Sequence, residues 1–236
     1  MSEMLERIRS RGYWRIVIHP APFVEKQVAN ISELHPVLQR ISVNLRGWDF
    51  PHLDVHIPVH IDKNWIEQSS AIDQYLELWI FYQSGQFVDF IGMEEDWLDE
   101  FRDWPLAKDW KPGSYLGVEN AVFQFTEILE FAARLSLTQA GGEMMHLEID
   151  LHGLKGRGLR LEKRRAGSSY LREHRAEIDT LPYVLDLSKT ELITASKELA
   201  LKPAIELFRR FGWDPSPGVL RDIQGELRGS QVVGRP

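Results

Sequence analysis

The sequence predicts an α+β protein, with a mainly antiparallel sheet packed against a central apolar helix and C-terminal helices. Several segments alternate apolar and polar residues with the period of a half-buried strand, and residues 119–137 repeat apolar side chains at helical spacing. The 236 residues are 43% hydrophobic and 27% charged, as is typical of globular proteins, which argues against disorder and coiled coils.

The first strand is predicted at "YWRIVI", residues 13–18, with Trp14, Ile16 and Ile18 on one face, and it ends at the prolines of "HPAP". A helix over 32–42 follows, with Pro36 in its first turn. Residues 51–62 then alternate strictly between apolar and polar positions. This pattern predicts a half-buried strand, and Pro58 places it at a sheet edge.

Residues 75–92 predict a hairpin around Ser84 and Gly85. A two-residue loop there pairs Gln83 with Gln86, Phe81 with Val88 and Trp79 with Phe90. Both faces are largely apolar, so we expect the hairpin to be central and covered on both sides. Residues 93–104 predict a short acidic helix.

The segment 119–137 is the strongest helix in the chain, and its wide apolar stripe predicts a central core position. Residues 145–151 alternate again, and a glycine-rich turn predicts a return strand near 159–161. A short helix at 170–178 and a strand at 183–187 follow. Ser188 and Glu191 form a capping box of another helix, Pro203 is predicted to begin the next, and Gly212 to end it.

We expect one α+β domain over residues 1–236, with a loose tail at 214–236. The connector 105–114 offers an alternative division into lobes 1–110 and 115–213.

The chain has no cysteine, which excludes disulfides, thiolate zinc sites and cysteine nucleophiles. Its longest apolar run, near "LWIFY", is far shorter than the roughly 20 residues that span a bilayer. The N-terminal residues lack the apolar region of a signal peptide. We therefore expect a cytoplasmic protein with no membrane partner.

Charge is distributed unevenly along the chain. Residues 1–118 hold 11 Lys/Arg against 18 Asp/Glu, whereas residues 119–236 hold 17 of each. The one basic patch comprises Lys155, Arg157, Arg160, Lys163, Arg164, Arg165, Arg172 and Arg175. Such a patch could neutralise the phosphates of a nucleic acid, or could dock on an acidic partner or on the acidic half of the chain.

The turn "LRGWDFPH", residues 45–52, brings together Arg46, Trp48, Asp49 and His52. A guanidinium, a flat ring, a carboxylate and an imidazole on one turn can present themselves to a ligand, or can hold the turn itself together. The hairpin adds Trp79, Gln83 and Gln86 as further candidate binding residues.

A metal site is a further hypothesis, built on His52, Asp54 and His56. Alternate residues of a strand lie about 6.6 Å apart, so neighbouring members could share an ion while His52 and His56 could not. No pair is a complete site, and a metal-dependent hydrolase would need a ligand from another strand.

The phrases "YWRIVIHP", "LRGWDFPH", "LWIFYQSGQFVDF" and "TEILEFAARL" resemble a family of uncharacterised bacterial proteins, over roughly residues 13–137. The resemblance implies a bacterial intracellular origin and assigns no functional residue.

The main hypothesis is a non-enzymatic binding or accessory protein that needs no cofactor and acts on a protein partner or a second copy of itself. Its contact surface would be the turn 46–52, the Trp-rich acidic segment 94–110 or the basic patch. A nucleic-acid-associated protein and a metal-dependent hydrolase are the alternatives.

Overall fold

A computed structural model describes residues 2–100, 110–161 and 175–228. The strands are β1 Tyr13–Ala21, β2 Val43–Asn44, β3 Asp49–Phe50, β4 His60–Ile61, β5 Trp65–Ile72, β6 Tyr75–Tyr82, β7 Phe87–Gly92, β8 Tyr115–Gly117, β9 Met144–His152, β10 Gly158–Arg160 and β11 Thr180–Ser188. The helices are α1 Glu3–Arg9, α2 Leu34–Ile41, α3 Val118–Ser136, α4 Lys189–Arg209 and α5 Pro217–Gly225. The fold is α+β, as the sequence predicts.

Seven strands form one antiparallel sheet in the order β11-β9-β1-β7-β6-β5-β4. Helix α3 covers one face, where the predicted inward side chains Trp14, Ile16 and Ile18 join the main core. On the opposite face α1 buries Ile8 in a smaller cluster whose other buried members are Leu76, Leu78, Phe90 and Trp97. The hairpin β6–β7 is therefore covered on both sides, because apolar side chains point both ways along it.

The register of that hairpin differs from the prediction by one residue. Phe81 pairs with Phe87 and Trp79 with Asp89, so the predicted pairs Phe81–Val88 and Trp79–Phe90 are wrong. Tyr82 N–H donates to the Gln86 carbonyl, and Gly85 has φ 81°. The loop thus has three residues, Gln83 to Gly85, because a left-handed glycine at its third position closes the longer turn.

The predicted edge strand over 51–62 is also wrong for most of its length. Only β4 pairs with β5, at the edge of the sheet, and residues 51–59 form an irregular loop in which Val55 is 88% exposed. Side chains of the sheet take the place of a neighbouring strand. His52 N–H donates to Glu77 Oε2 at 2.9 Å, and Trp79 Nε1 donates to the His52 carbonyl at 2.9 Å.

The buried Gln68 side chain holds the next part of this loop. It accepts from Asp54 N–H at 3.0 Å and donates to the Asp54 and Ile57 carbonyls at 2.9 and 2.5 Å. The period-two pattern therefore does not reflect strand pairing, because an amide side chain satisfies the backbone that a strand partner would otherwise bind.

Replacing Gln68 by alanine should loosen the loop while leaving the sheet intact. Removing three part-buried hydrogen bonds to the loop backbone is expected to cost about 1–2 kcal/mol of folding free energy. Amide hydrogen exchange should accelerate at residues 54–59 and not in β6 or β7. Equal acceleration throughout the sheet would show that Gln68 supports the whole fold instead.

In the second half, β9 places Met145, Leu147, Ile149 and Leu151 inward as predicted. A strand, β10, forms where the return strand is predicted, but its predicted pairing with β9 is wrong, because β10 pairs in parallel with β8 in a separate small sheet and β11 is the outer neighbour of β9. The short helix predicted at 170–178 lies mostly outside the described residues.

The capping box of Ser188 and Glu191 is present at the start of α4. Pro203 does not begin a new helix as predicted, since α4 continues through it and carries its one non-helical residue at Ala195. Gly212, with φ 78°, follows the end of α4 as predicted.

Part of the segment predicted to be a loose tail is helical. Ser216 caps α5, with its side chain accepting from Val219 N–H, and Leu220 and Ile223 are buried in the main core.

Strands from both sides of the connector 105–114 share the large sheet. Over the described parts of the chain, no helix combines the length and apolar character needed to cross a bilayer.

Candidate functional site

A cleft of about 350 Å³ opens at the N-terminal end of α3. The loop between β2 and β3, the β5–β6 turn, the segment after β7 and the first turns of α3 all contribute to it. Its lining residues are Arg46, Trp48, Ile72, Asp73, Gln74, Tyr75, Glu94, Asn120 and Phe123.

Aromatic rings form much of the wall of this cleft. The rings of Trp48 and Tyr75 lie 5.0 Å apart at 66°, so they meet nearly at a right angle. His52 stacks on Trp48 at 4.3 Å. Burial lowers the pKa of His52 against the opposing effect of Asp54 and Asp49, which favours the neutral ring at pH 7. Trp48 is thus held in place by a neutral partner.

Arg46 is fixed at one side of the cleft by acidic residues. Its Nε and Nη2 donate to the two carboxylate oxygens of the buried Glu127 at 3.0 and 2.7 Å, and Glu94 lies 3.7 Å from Nη1. Burial opposes the charge of Arg46, but Glu127 and Glu94 outweigh it and raise the pKa of Arg46 above its ordinary value. The positive charge of the Arg46 guanidinium is therefore balanced by carboxylates of the protein itself.

Gln124 adds a buried polar group behind Arg46. Its side-chain oxygen accepts from Arg46 Nη2 at 3.3 Å, and it lines a small inner cavity of about 20 Å³. Among the described residues, Gln124 Nε2 is buried and has no hydrogen-bond partner. A donor thus faces the interior next to the cleft.

The N-terminus of α3 is capped by a carboxylate from another segment. Glu95 Oε1 accepts from Gly117 N–H at 2.7 Å and from Asn120 Nδ2 at 3.2 Å. This carboxylate meets the partial positive charge of the helix end. A carboxylate of the chain itself therefore lies at the positive end of α3.

Two buried acids lie behind Tyr75. The Glu77 carboxyl contacts both Tyr75 and the Asp89 carboxyl, and both acids are almost completely inaccessible to solvent. Burial raises the pKa of Asp89 to about 8, with its contacts to Glu77 and Phe90 N–H acting in the opposite direction. Burial and the neighbouring Asp89 raise the pKa of Glu77 as well. Burial therefore favours the protonated form of both acids.

Only some residues of the turn 46–52 lie at the cleft. Arg46 and Trp48 line the cleft and His52 supports Trp48. Asp49 does not join them, because it accepts from Asn44 Nδ2 at 2.9 Å and borders a separate groove.

The hairpin candidates lie away from the cleft. Trp79 is buried and supports His52, while Gln83 Nε2 donates to the Val28 and Ala29 carbonyls at 3.0 and 3.2 Å. Gln86 closes the β6–β7 turn. All three serve local structure.

Sequence reasoning missed Tyr75, Asn120, Phe123 and the acid pair. A signal for the pair was present, since Glu77 and Asp89 interrupt a hairpin expected to be covered on both faces. A carboxylate at such a position has to be buried.

The metal hypothesis on His52, Asp54 and His56 is not supported by the geometry. These residues lie on the irregular loop rather than on one strand, His56 N–H donates to Asp54 Oδ1 at 2.7 Å, and His52 packs on Trp48. The described residues contain no group of three or more His, Asp or Glu side chains arranged to hold an ion.

One residue of the predicted basic patch is not at the surface. Arg157 is 1% exposed and forms a buried ion pair with Asp96, so it does not belong to a surface patch. Lys155 and Arg160 are exposed, whereas Lys163, Arg164, Arg165 and Arg172 lie outside the described residues.

The acidic segment 94–110 is described only in part. Within it Trp97 is buried and Trp110 Nε1 donates to the Glu95 carbonyl at 3.0 Å.

Comparison of the chain with protein-family models, with curated proteins and with solved structures finds no match. The cleft and its chemistry are therefore the evidence for function.

Proposed function

We propose that this chain is a non-enzymatic binding protein that takes a small organic ligand in the cleft at the N-terminal end of α3. The observation that carries the proposal is the convergence of three aromatic side chains, Trp48, Tyr75 and Phe123, on one cleft with a few fixed polar groups. Ligand sites in proteins are typically concave and mostly apolar, with a small number of placed polar groups that fix orientation.

The size and rigidity of the cleft support this proposal. Its volume of about 350 Å³ lies in the range of small-molecule sites. Trp48 is held between His52 and Tyr75, and Arg46 is held by Glu127, so both side chains are positioned without a ligand. A preformed site loses little conformational entropy on binding.

The chemistry of the cleft favours binding over catalysis. Its described lining contains no serine, histidine or lysine, and so offers no nucleophile paired with a general base. Burial, with Glu77 adding to it, raises the pKa of Tyr75 well above its ordinary value, which keeps the phenol protonated. Glu77 and Asp89 are buried and do not line the cleft.

A blocking substitution tests the proposal. Gln74→Trp places a large ring at the cleft from a half-buried turn position, and Ile193→Trp adds the same ring on an exposed part of α4 as the matched control. We expect a library of small aromatic and aliphatic compounds to give hits that shift the Trp48 indole Nε1–H signal in ¹H–¹⁵N spectra. Gln74→Trp should abolish these shifts and Ile193→Trp should preserve them.

Hits that persist unchanged in Gln74→Trp would place binding elsewhere on the molecule. A library with no hit at the Trp48 signal would count directly against the proposed function.

A further inference from the structure

We propose that the ligand of the cleft is an organic cation, a substituted ammonium whose apolar groups contact Trp48, Tyr75 and Phe123 and whose charge is balanced chiefly by Asp73. This inference rests on the proposed binding function and adds the chemical class of the ligand.

The aromatic walls suit such a cation. Trp48 and Tyr75 meet at 66° with their ring centres 5.0 Å apart, and Phe123 lines the same cleft from α3. Aromatic faces attract cations through their quadrupole, and alkylammonium groups are commonly bound by several rings together. His52 stacks against Trp48, so the indole is supported at a fixed angle.

The charges around the cleft point to the same class. Two sources of positive charge at the cleft, Arg46 and the N-terminus of α3, already have a carboxylate beside them, Glu127 and Glu95 respectively. An anionic ligand would meet the negative charge of these carboxylates next to either source. Asp73 and Glu94 line the cleft as well, and because Glu127 and Glu94 both lie against Arg46, Asp73 adds a negative charge to a lining whose guanidinium is already paired.

Asp73 is fixed at the rim by its backbone. It is exposed, it occupies the β5–β6 turn, and it has a φ of 51°, in the left-handed region. Asparagine adopts this conformation as readily as aspartate, so Asp73→Asn removes the charge and keeps the turn. This substitution therefore isolates the electrostatic contribution.

The test uses choline and benzyltrimethylammonium as cations, 3,3-dimethylbutan-1-ol as the neutral isostere of choline, and benzoate as an anion. Titrations of the full chain are followed by the Trp48 indole signal and by calorimetry. We expect choline to bind at least about tenfold more tightly than its neutral isostere, since the isostere has the same shape and lacks the charge. Added salt should weaken the binding of the cations.

Asp73→Asn and Glu94→Gln are each expected to weaken cation binding several-fold and to weaken binding of the neutral isostere much less. Asp222→Asn, an exposed charge removal on α5, is the control that should alter neither.

Equal affinity for choline and its neutral isostere, or tighter binding of benzoate, would overturn the cation assignment. The proposed function would survive that result, because the cleft would still bind a small molecule. If none of the four probes binds but the library of small aromatic and aliphatic compounds gives hits, that result would also refute only the cation assignment. Absence of any hit would refute both proposals.

Discussion

Replacing Asp96 by alanine is expected to lower the free energy of unfolding by about 3–5 kcal/mol, because it leaves the charge of Arg157 buried without a carboxylate to balance it. Both side chains are 1% exposed. Asp96 accepts two bonds from the Arg157 guanidinium and two from backbone, Gly12 N–H at 2.9 Å and Gly113 N–H at 2.8 Å. The carboxylate thus joins the start of β1, the segment after β7 and the β9–β10 turn.

Equilibrium urea unfolding measures this loss. Asp99→Ala is the matched control, because Asp99 forms an exposed ion pair with Arg11 at 2.8 Å nearby, and such pairs contribute less than about 1 kcal/mol. The double variant Asp96→Asn with Arg157→Met should recover part of the lost stability, since it removes the buried charge as well. If the double variant were less stable than Asp96→Ala, the unpaired charge would not be the cause.

Replacing Asp89 by asparagine is expected to stabilise the protein at alkaline pH and to flatten the dependence of its stability on pH. Burial raises the pKa of Asp89 from the 3.8 of an ordinary aspartate to about 8, so the folded state holds a proton that the unfolded state releases. The contribution of this group is fully present below about pH 4 and is lost as pH rises through about 8.

The wild-type protein should therefore lose stability between pH 5 and 8 through this group, whereas Asp89→Asn should lose much less. At about pH 8 the variant is expected to exceed the wild type by on the order of 2–4 kcal/mol, and the difference should shrink as pH falls. Urea unfolding at several pH values measures it, with the exposed Asp222→Asn as the control. A difference that stays constant from pH 5 to 8 would show that the acid pair is not the titrating unit.

Much of the fold follows from local pattern. The apolar stripe of α3, the alternation in β9 and the capping box of α4 were each predicted from a few neighbouring residues, and the structure confirms them. These features depend on helical or strand periodicity and on one hydrogen-bonding motif, which are properties of contiguous sequence.

The irregular loop 51–59 shows where local pattern fails. Its alternation is as regular as that of β9, yet Gln68, Glu77 and Trp79 bind its backbone in place of a neighbouring strand. Those side chains come from strands that follow it in the chain. Periodicity cannot distinguish an edge strand from a loop held by side chains, because the two differ only in what satisfies the backbone.

The candidate site was predicted in part. Arg46 and Trp48 stood out because a charged and an aromatic residue flank a glycine in one turn, and both line the cleft. Asn120, Phe123, Asp73 and Tyr75 did not stand out, since each sits in a segment whose pattern is explained by its own helix or hairpin.

By itself, the sequence determined the α+β class, the central helix, the inward faces of the long strands and the exclusion of cysteine chemistry. Only the tertiary structure decided that Arg157 is a buried partner of Asp96 and not a surface charge, that Glu77 and Asp89 are buried side by side with raised pKa values, and that one cleft gathers residues from four separate segments. The physical reason is that secondary structure depends on neighbours in sequence. Burial, pKa and the shape of a cleft depend on neighbours in space.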